Sequence, residues 1–113
     1  MIRALLTLDL LKSEDERTEF YAILRKKKWQ KTKDVETVWT LTFKNLDPSI
    51  EGTLKKAKNA IRDTLLETVK DLKLKEVSYI VQIGNHRPIS RVIRKKDGEY
   101  KCFSRELYPP KKD

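Results

Sequence analysis

The chain has 113 residues, 38% of them hydrophobic and 38% charged, with one cysteine and a formal net charge of +9. That length fits a single domain, and no apolar run approaches the roughly 20 residues needed to cross a bilayer. Cys102 alone can form neither an intrachain disulfide nor a cysteine-rich zinc site, and glycines scattered at Gly52, Gly84 and Gly98 exclude a glycine-rich phosphate loop.

The first residues alternate. Ile2, Ala4, Leu6, Leu8 and Leu10 point one way, and Arg3, Leu5, Thr7, Asp9 and Leu11 the other, which is a strand with one strongly apolar face. The Asp in this run and the acidic residues after it read against a secretory signal. Together with the single cysteine they point to a cytoplasmic protein. Ser13 and Glu16 have capping-box spacing at the head of a predicted helix. Acids fill its first turn and Arg25 to Lys28 its end, both suited to the helix dipole. Phe20, Ile23 and Leu24 supply the expected buried stripe.

Trp29 to Thr32 reads as a short strand that turns at Lys33-Asp34. Val35 to Lys44 alternates, with Thr37, Trp39, Leu41 and Phe43 on one face and Val38, Thr40 and Thr42 on the other. Asp47-Pro48 is a helix-start signal. Ile50, Leu54, Ala57, Ile61, Leu65, Val69 and Leu72 then recur at spacings of three and four. This is the clearest amphipathic helix in the chain, with Gly52 placing its start at Thr53. Val77, Tyr79, Val81 and Ile83 mark another strand, broken by Gly84-Asn85. Ile89 to Lys95 and Glu99 to Phe103 flank Asp97-Gly98, a strong hairpin signal. Residues 109–113 begin with two prolines that cannot continue a ladder, so they read as a disordered basic tail behind a domain of residues 1–108.

The element order is therefore strand, helix, short strand, strand, helix, strand and an added C-terminal β-hairpin. The first six form the split βαβ pattern, an α+β ferredoxin-like βαββαβ sandwich with an antiparallel sheet and two helices on one face. The alternation places Leu6, Leu8, Trp39, Leu41, Tyr79 and Val81 against Phe20, Ile23, Leu24, Ile61 and Leu65 in the core.

The charge is uneven. Arg25 to Lys33 holds six basic residues and no acid, and Gly84 to Asp113 holds nine basic against four acidic ones. A surplus of this kind concentrates polyanions, nucleic acid first among them, or it serves solubility. Lys26, Lys27 and Lys28 are candidate phosphate contacts or simply a well-charged helix end. Arg87, Arg91, Arg94, Lys95 and Lys96 surround the hairpin, either as phosphate-binding forks and point charges beside Tyr100 and Phe103 or as charges guarding a sheet edge. The two basic segments form one surface if the fold brings them together.

A short first strand ending in an aspartate (Ala4-Leu5-Leu6-Thr7-Leu8-Asp9), a first helix and a tryptophan-led turn into a strand resemble the small ferredoxin-like CRISPR-associated adaptation proteins and related toxin–antitoxin ribonucleases. So do the second amphipathic helix, the third main strand and the terminal hairpin. The resemblance is architectural and spans about the first two-thirds of the chain. It implies homodimers formed through the sheet and DNA or RNA work, in some members cleavage with a divalent metal and in others binding or scaffolding only.

In that setting Asp9 is the candidate catalytic and metal-binding residue. A two-fold axis beside it would bring two carboxylates to one Mg²⁺. The alternative is an end-of-strand carboxylate that caps the following turn. His86, on a loop, has no sequence neighbour to orient it as a base. Cys102 reads as a small hydrophobe, and Trp29 and Trp39 as core or interface. Against the nucleic-acid reading stands a protein-interaction or assembly module, such as an antitoxin or complex subunit, whose charge matches an acidic partner.

Overall fold

The computed structural model describes residues 1–11 and 14–110. Its elements in chain order are β1 (Ile2–Leu11), a 3₁₀ turn (Glu14–Glu16), α1 (Arg17–Lys26), β2 (Gln30–Lys31), β3 (Val38–Phe43), α2 (Thr53–Leu72), β4 (Glu76–Ile83), β5 (Ile89–Lys96) and β6 (Glu99–Arg105). The fold is α+β. Its six strands form one antiparallel sheet in the order β2-β3-β1-β4-β5-β6. Among the described residues no helix is long and apolar enough to cross a membrane.

The period-two pattern decides which face is buried. Ile2, Ala4, Leu6, Leu8 and Leu10 of β1 are buried beside Trp39 and Leu41 of β3 and Val77, Tyr79, Val81 and Ile83 of β4. Phe20, Tyr21 and Leu24 of α1 and Ala57, Ile61, Leu65 and Val69 of α2 complete the same core. Both helices thus cover one face. The opposite face is open along β1 and β4, where Leu5 and Ile80 are exposed at 53% and 39%, whereas Val92 of β5 on the same face is wholly buried.

Two expectations about α1 change. Ser13 of the capping box lies outside the described residues, and the helix starts later, at Arg17, with Glu16 as an N-cap that makes no side-chain cap bond. The buried stripe is Phe20, Tyr21 and Leu24, while Ile23 is only half-buried. Tyr21 takes the inward position because its ring meets Trp39 edge-on, with centroids 5.1 Å apart.

The end of α1 directs the chain into β2. The Lys28 N–H donates to the Arg25 carbonyl and the Trp29 N–H to the Leu24 carbonyl, while Lys28 has φ 70°. This is a Schellman close, with lysine in the left-handed conformation that glycine usually fills. It turns Trp29 into the core and starts β2 at Gln30. Before α2, Asp47 Oδ1 accepts from the Ser49 N–H at 2.9 Å and from its hydroxyl at 2.7 Å. These bonds hold the Asp47 carboxyl below its ordinary value. Asp47-Pro48 thus forms a turn, and the helix begins at Thr53 after Gly52, whose φ of 85° suits the missing side chain.

Asp97 and Gly98 have φ 54° and 81°, the two positive values of a type I′ turn. The turn sets the register Lys96↔Glu99, Arg94↔Lys101 and Val92↔Phe103. Of the tail, Lys111, Lys112 and Asp113 lie outside the described residues. Leu107 to Pro110 share a groove with Ser78 and Ser90 on the open face.

Candidate nucleic-acid interface

The hairpin register assigns every cation of β5 and β6 to a face. Tyr79↔Arg91 and Ile93↔Cys102 place Arg91, Ile93, Lys95, Tyr100 and Cys102 on the helix side. Arg94 and Lys96 of β5, and Lys101, Phe103 and Arg105 of β6, therefore face the open side. There the Arg94 guanidinium lies 4.6 Å from the centroid of the Phe103 ring and the Lys96 ammonium 5.7 Å from it. Arg94 and Lys101 are direct cross-strand neighbours. Like charges so placed repel each other, and an anion laid over them removes the repulsion. The result is four cations, together with Glu99 opposite Lys96, on the outer face of the hairpin, with two of the cations over the half-buried ring of Phe103.

The helix side of the hairpin is built differently. Tyr79 is 2% exposed and its hydroxyl lies 3.8 Å from Cys102 Sγ. Burial pushes the Tyr79 phenol well above its ordinary value, and the nearby Arg91 guanidinium opposes that only in part. Arg91 Nη1 is buried without a hydrogen-bond partner. Arg91 is half-buried, with this nitrogen turned inward while the residue also lines the groove beside Ser90 and Arg105. Lys95 lies over Tyr100, 5.2 Å from its centroid, and the Tyr100 hydroxyl donates to the Leu74 carbonyl at 2.9 Å. Tyr100, half-buried, thereby docks the hairpin against the end of α2.

The remaining candidates lie elsewhere. Lys26, Lys27 and Lys28 are exposed at the end of α1, next to β2. β2 and β6 are the two edge strands of the sheet, about 24 Å apart at the usual interstrand spacing. The two basic segments thus do not form one surface: the strand order sends them to opposite edges. Arg87 is exposed on the β4–β5 loop, at the end of β5 away from the Asp97-Gly98 turn. His86 is exposed on the same loop, its N–H donating to the Ile83 carbonyl.

Asp9 is exposed on the open face of the central strand β1, opposite Ser78 of β4. It lines a shallow groove with Thr7, Ser78, Ile80 and Ser90. The groove offers one carboxylate and several hydroxyls. Among the described residues no three His, Cys, Asp or Glu side chains are grouped to hold a metal ion. A site for Mg²⁺ at Asp9 would need further ligands from the nucleic acid or a second copy.

Lys101 and Arg105 were not singled out by sequence reasoning. Their signal was present: counting from the I′ turn at Asp97-Gly98 pairs Lys101 with Arg94 and Arg105 with Ser90. The same count separates Arg91 from Arg94. Comparisons of the chain with family models, with curated proteins and with solved structures found no match.

Proposed function

We propose that this protein binds nucleic acid through the open face of its β5–β6 hairpin. The observation that carries the reading is the cluster of Arg94, Lys96, Lys101 and Arg105 around Phe103 on one side of the hairpin. Cations beside an aromatic ring on an exposed sheet suit a phosphate backbone with an unstacked base. The groove next to it, with Thr7, Ser78 and Ser90 around Asp9, continues that face across the sheet. The setting proposed for this function is cytoplasmic.

The fold that goes with this reading is ferredoxin-like. Support comes from the strand order: taken from β4, the first four strands run β4-β1-β3-β2, each antiparallel to its neighbour. α1 connects β1 to β2 and α2 connects β3 to β4, and the hairpin extends the sheet beyond β4. Kinship with the CRISPR-associated adaptation and toxin–antitoxin ribonuclease group belongs to the same proposal. So does its enzymatic variant, in which Asp9 from two copies of a homodimer holds one Mg²⁺. The exposed position of Asp9 on the central strand favours that variant over a turn-capping role.

Binding of random-sequence RNA and DNA, followed by fluorescence anisotropy over a salt series, tests the reading. Affinity is expected to fall steeply with salt, and Arg94→Gln with Lys101→Gln is expected to reduce the log–log slope by about 2. Absence of binding at low salt, or an unchanged slope in the double variant, rejects it. In the same samples, Mg²⁺-dependent cleavage lost in Asp9→Asn supports the nuclease variant, and cleavage that persists removes Asp9 from it.

A further inference from the structure

A concavity of about 800 Å³ lies at the other edge of the sheet. It exists because β2 is shorter than the strand it pairs with. The ladder runs through Lys31↔Trp39 and Gln30↔Thr40. Its next edge-facing pair would set Lys28 opposite Thr42, but the left-handed turn at Lys28 takes the chain away into α1. β3 continues to Phe43. Its outer edge is therefore uncovered from Thr42 onward.

The direction of the backbone groups at that edge follows from their neighbours. The Thr37 carbonyl accepts from the Leu8 N–H, toward β1, and the Val38 carbonyl accepts from the Thr32 N–H, toward β2. Alternation along an antiparallel strand then turns the N–H and C=O of Thr40 and Thr42 toward the β2 edge. Thr40 is paired with Gln30. Thr42 presents one donor and one acceptor to the notch. Leu41, Phe43 and Leu46 supply apolar surface, and Arg25, Lys27, Lys28 and Lys44 supply the charge, with no carboxylate among the lining residues. The Arg25 guanidinium is held over the Trp39 ring at 5.8 Å. Among the described residues Lys27, Lys28 and Lys44 make no salt bridge.

We infer that this notch docks an extended, acidic peptide segment of a partner protein, added as a short strand beside Thr42. The chemistry selects that occupant in three ways. A peptide backbone carries both a donor and an acceptor, so it satisfies both Thr42 groups, whereas a phosphodiester offers acceptors only. Four cations without an acid call for a negative partner. A second copy of this chain would bring the same cations to the same edge, at a net charge of +9 each. Alternate side chains of the added strand fall on opposite faces, so an acid–apolar alternation gives the segment one apolar row for Leu41 and Phe43 and one acidic row.

The test uses the full chain and a short labelled peptide of alternating Glu and Val, with two comparison peptides. One replaces Glu by Lys, and the other carries N-methyl groups on alternate peptide nitrogens, so that it keeps its side chains but cannot donate along one edge. Fluorescence anisotropy is expected to show binding of the Glu/Val peptide alone. Lys27→Glu with Lys28→Glu is expected to weaken it at least about tenfold, the loss of electrostatic and edge contacts together. Thr42→Pro removes only the outward donor, at an edge position where proline is tolerated, and is expected to weaken it too. Circular dichroism checks that each variant folds. Arg94→Gln with Lys101→Gln is expected to leave peptide affinity unchanged while reducing nucleic-acid affinity, so this proposal and the hairpin reading fail separately. Equal binding of the N-methylated peptide, full affinity in the Lys27/Lys28 double variant, or displacement of RNA rather than peptide by the Lys27/Lys28 change would overturn it.

Discussion

Both edges of the sheet are basic, and they are finished in different ways. At the β6 edge the cations share the outer face of the hairpin with Phe103, Arg94 and Lys96 lying over its ring. At the β2 edge they ring a notch over open backbone, with Trp29 and Trp39 buried behind it. The first arrangement meets charge spread along a chain, and the second meets charge together with a strand. Equal basicity in the sequence therefore does not mean equal use: geometry decides which anion each edge can hold.

The difference is also one of energy, and substitution of the aromatic residue at each edge exposes it. Trp39 is wholly buried and Phe103 only partly so. Trp39→Ala is expected to cost about 3–5 kcal/mol, and Phe103→Ala about 1 kcal/mol from its smaller apolar burial. Urea unfolding of the two variants measures both. Similar losses would mean that the hairpin face is core-like and poorly suited to an exchangeable ligand.

The underside of the hairpin provides the next test. Burial raises the Tyr79 phenol above its ordinary value of 10.0. Folding therefore favours the protonated form, which contributes fully below pH 10.0 and is lost as pH rises beyond it. Alkaline titration of tyrosine absorbance is expected to show a step delayed until the fold opens, and Tyr79→Phe is expected to delete it. If all phenols ionise together in the folded protein, the hairpin is not packed against β4.

The smallest effect concerns the residue that makes the notch. Lys28 holds φ 70° at a cost that glycine avoids. Lys28→Gly is expected to raise stability by about 0.5–1 kcal/mol, read as a higher urea midpoint. A loss of stability would point instead to a tertiary role for the lysine side chain.

Much of this was legible in the residues. The alternation of β1 and β4, the stripe of α2 from Ala57 to Val69 and the Asp97-Gly98 turn each obey a local rule, and the structure follows them, while Ile50, read as the head of that stripe, lies exposed before the helix. The phase of α1 was not legible, because Tyr21 and Ile23 are both plausible core residues and contact with Trp39, distant in sequence, selects the tyrosine. The notch was hidden for a related reason. It depends on a left-handed lysine, and no residue preference signals lysine there. The division of the hairpin cations followed from parity once the turn was fixed. The separation of the two basic segments depended on strand order, a long-range property.

That strand order has a consequence for synthesis. β1 is made first yet lies inside the sheet, between β3 and β4. Its ladder with β4 pairs Leu11 with Glu76 and Ala4 with Ile83, so one side of the earliest strand stays uncovered until more than seventy residues have been added. Pairings this distant slow folding and leave an edge exposed to other chains. β5 and β6, by contrast, close on each other locally within a few residues of being made. A ribosome-bound chain stalled before β4 would thus carry a half-built sheet in need of a chaperone, and completion of β4 would end that need.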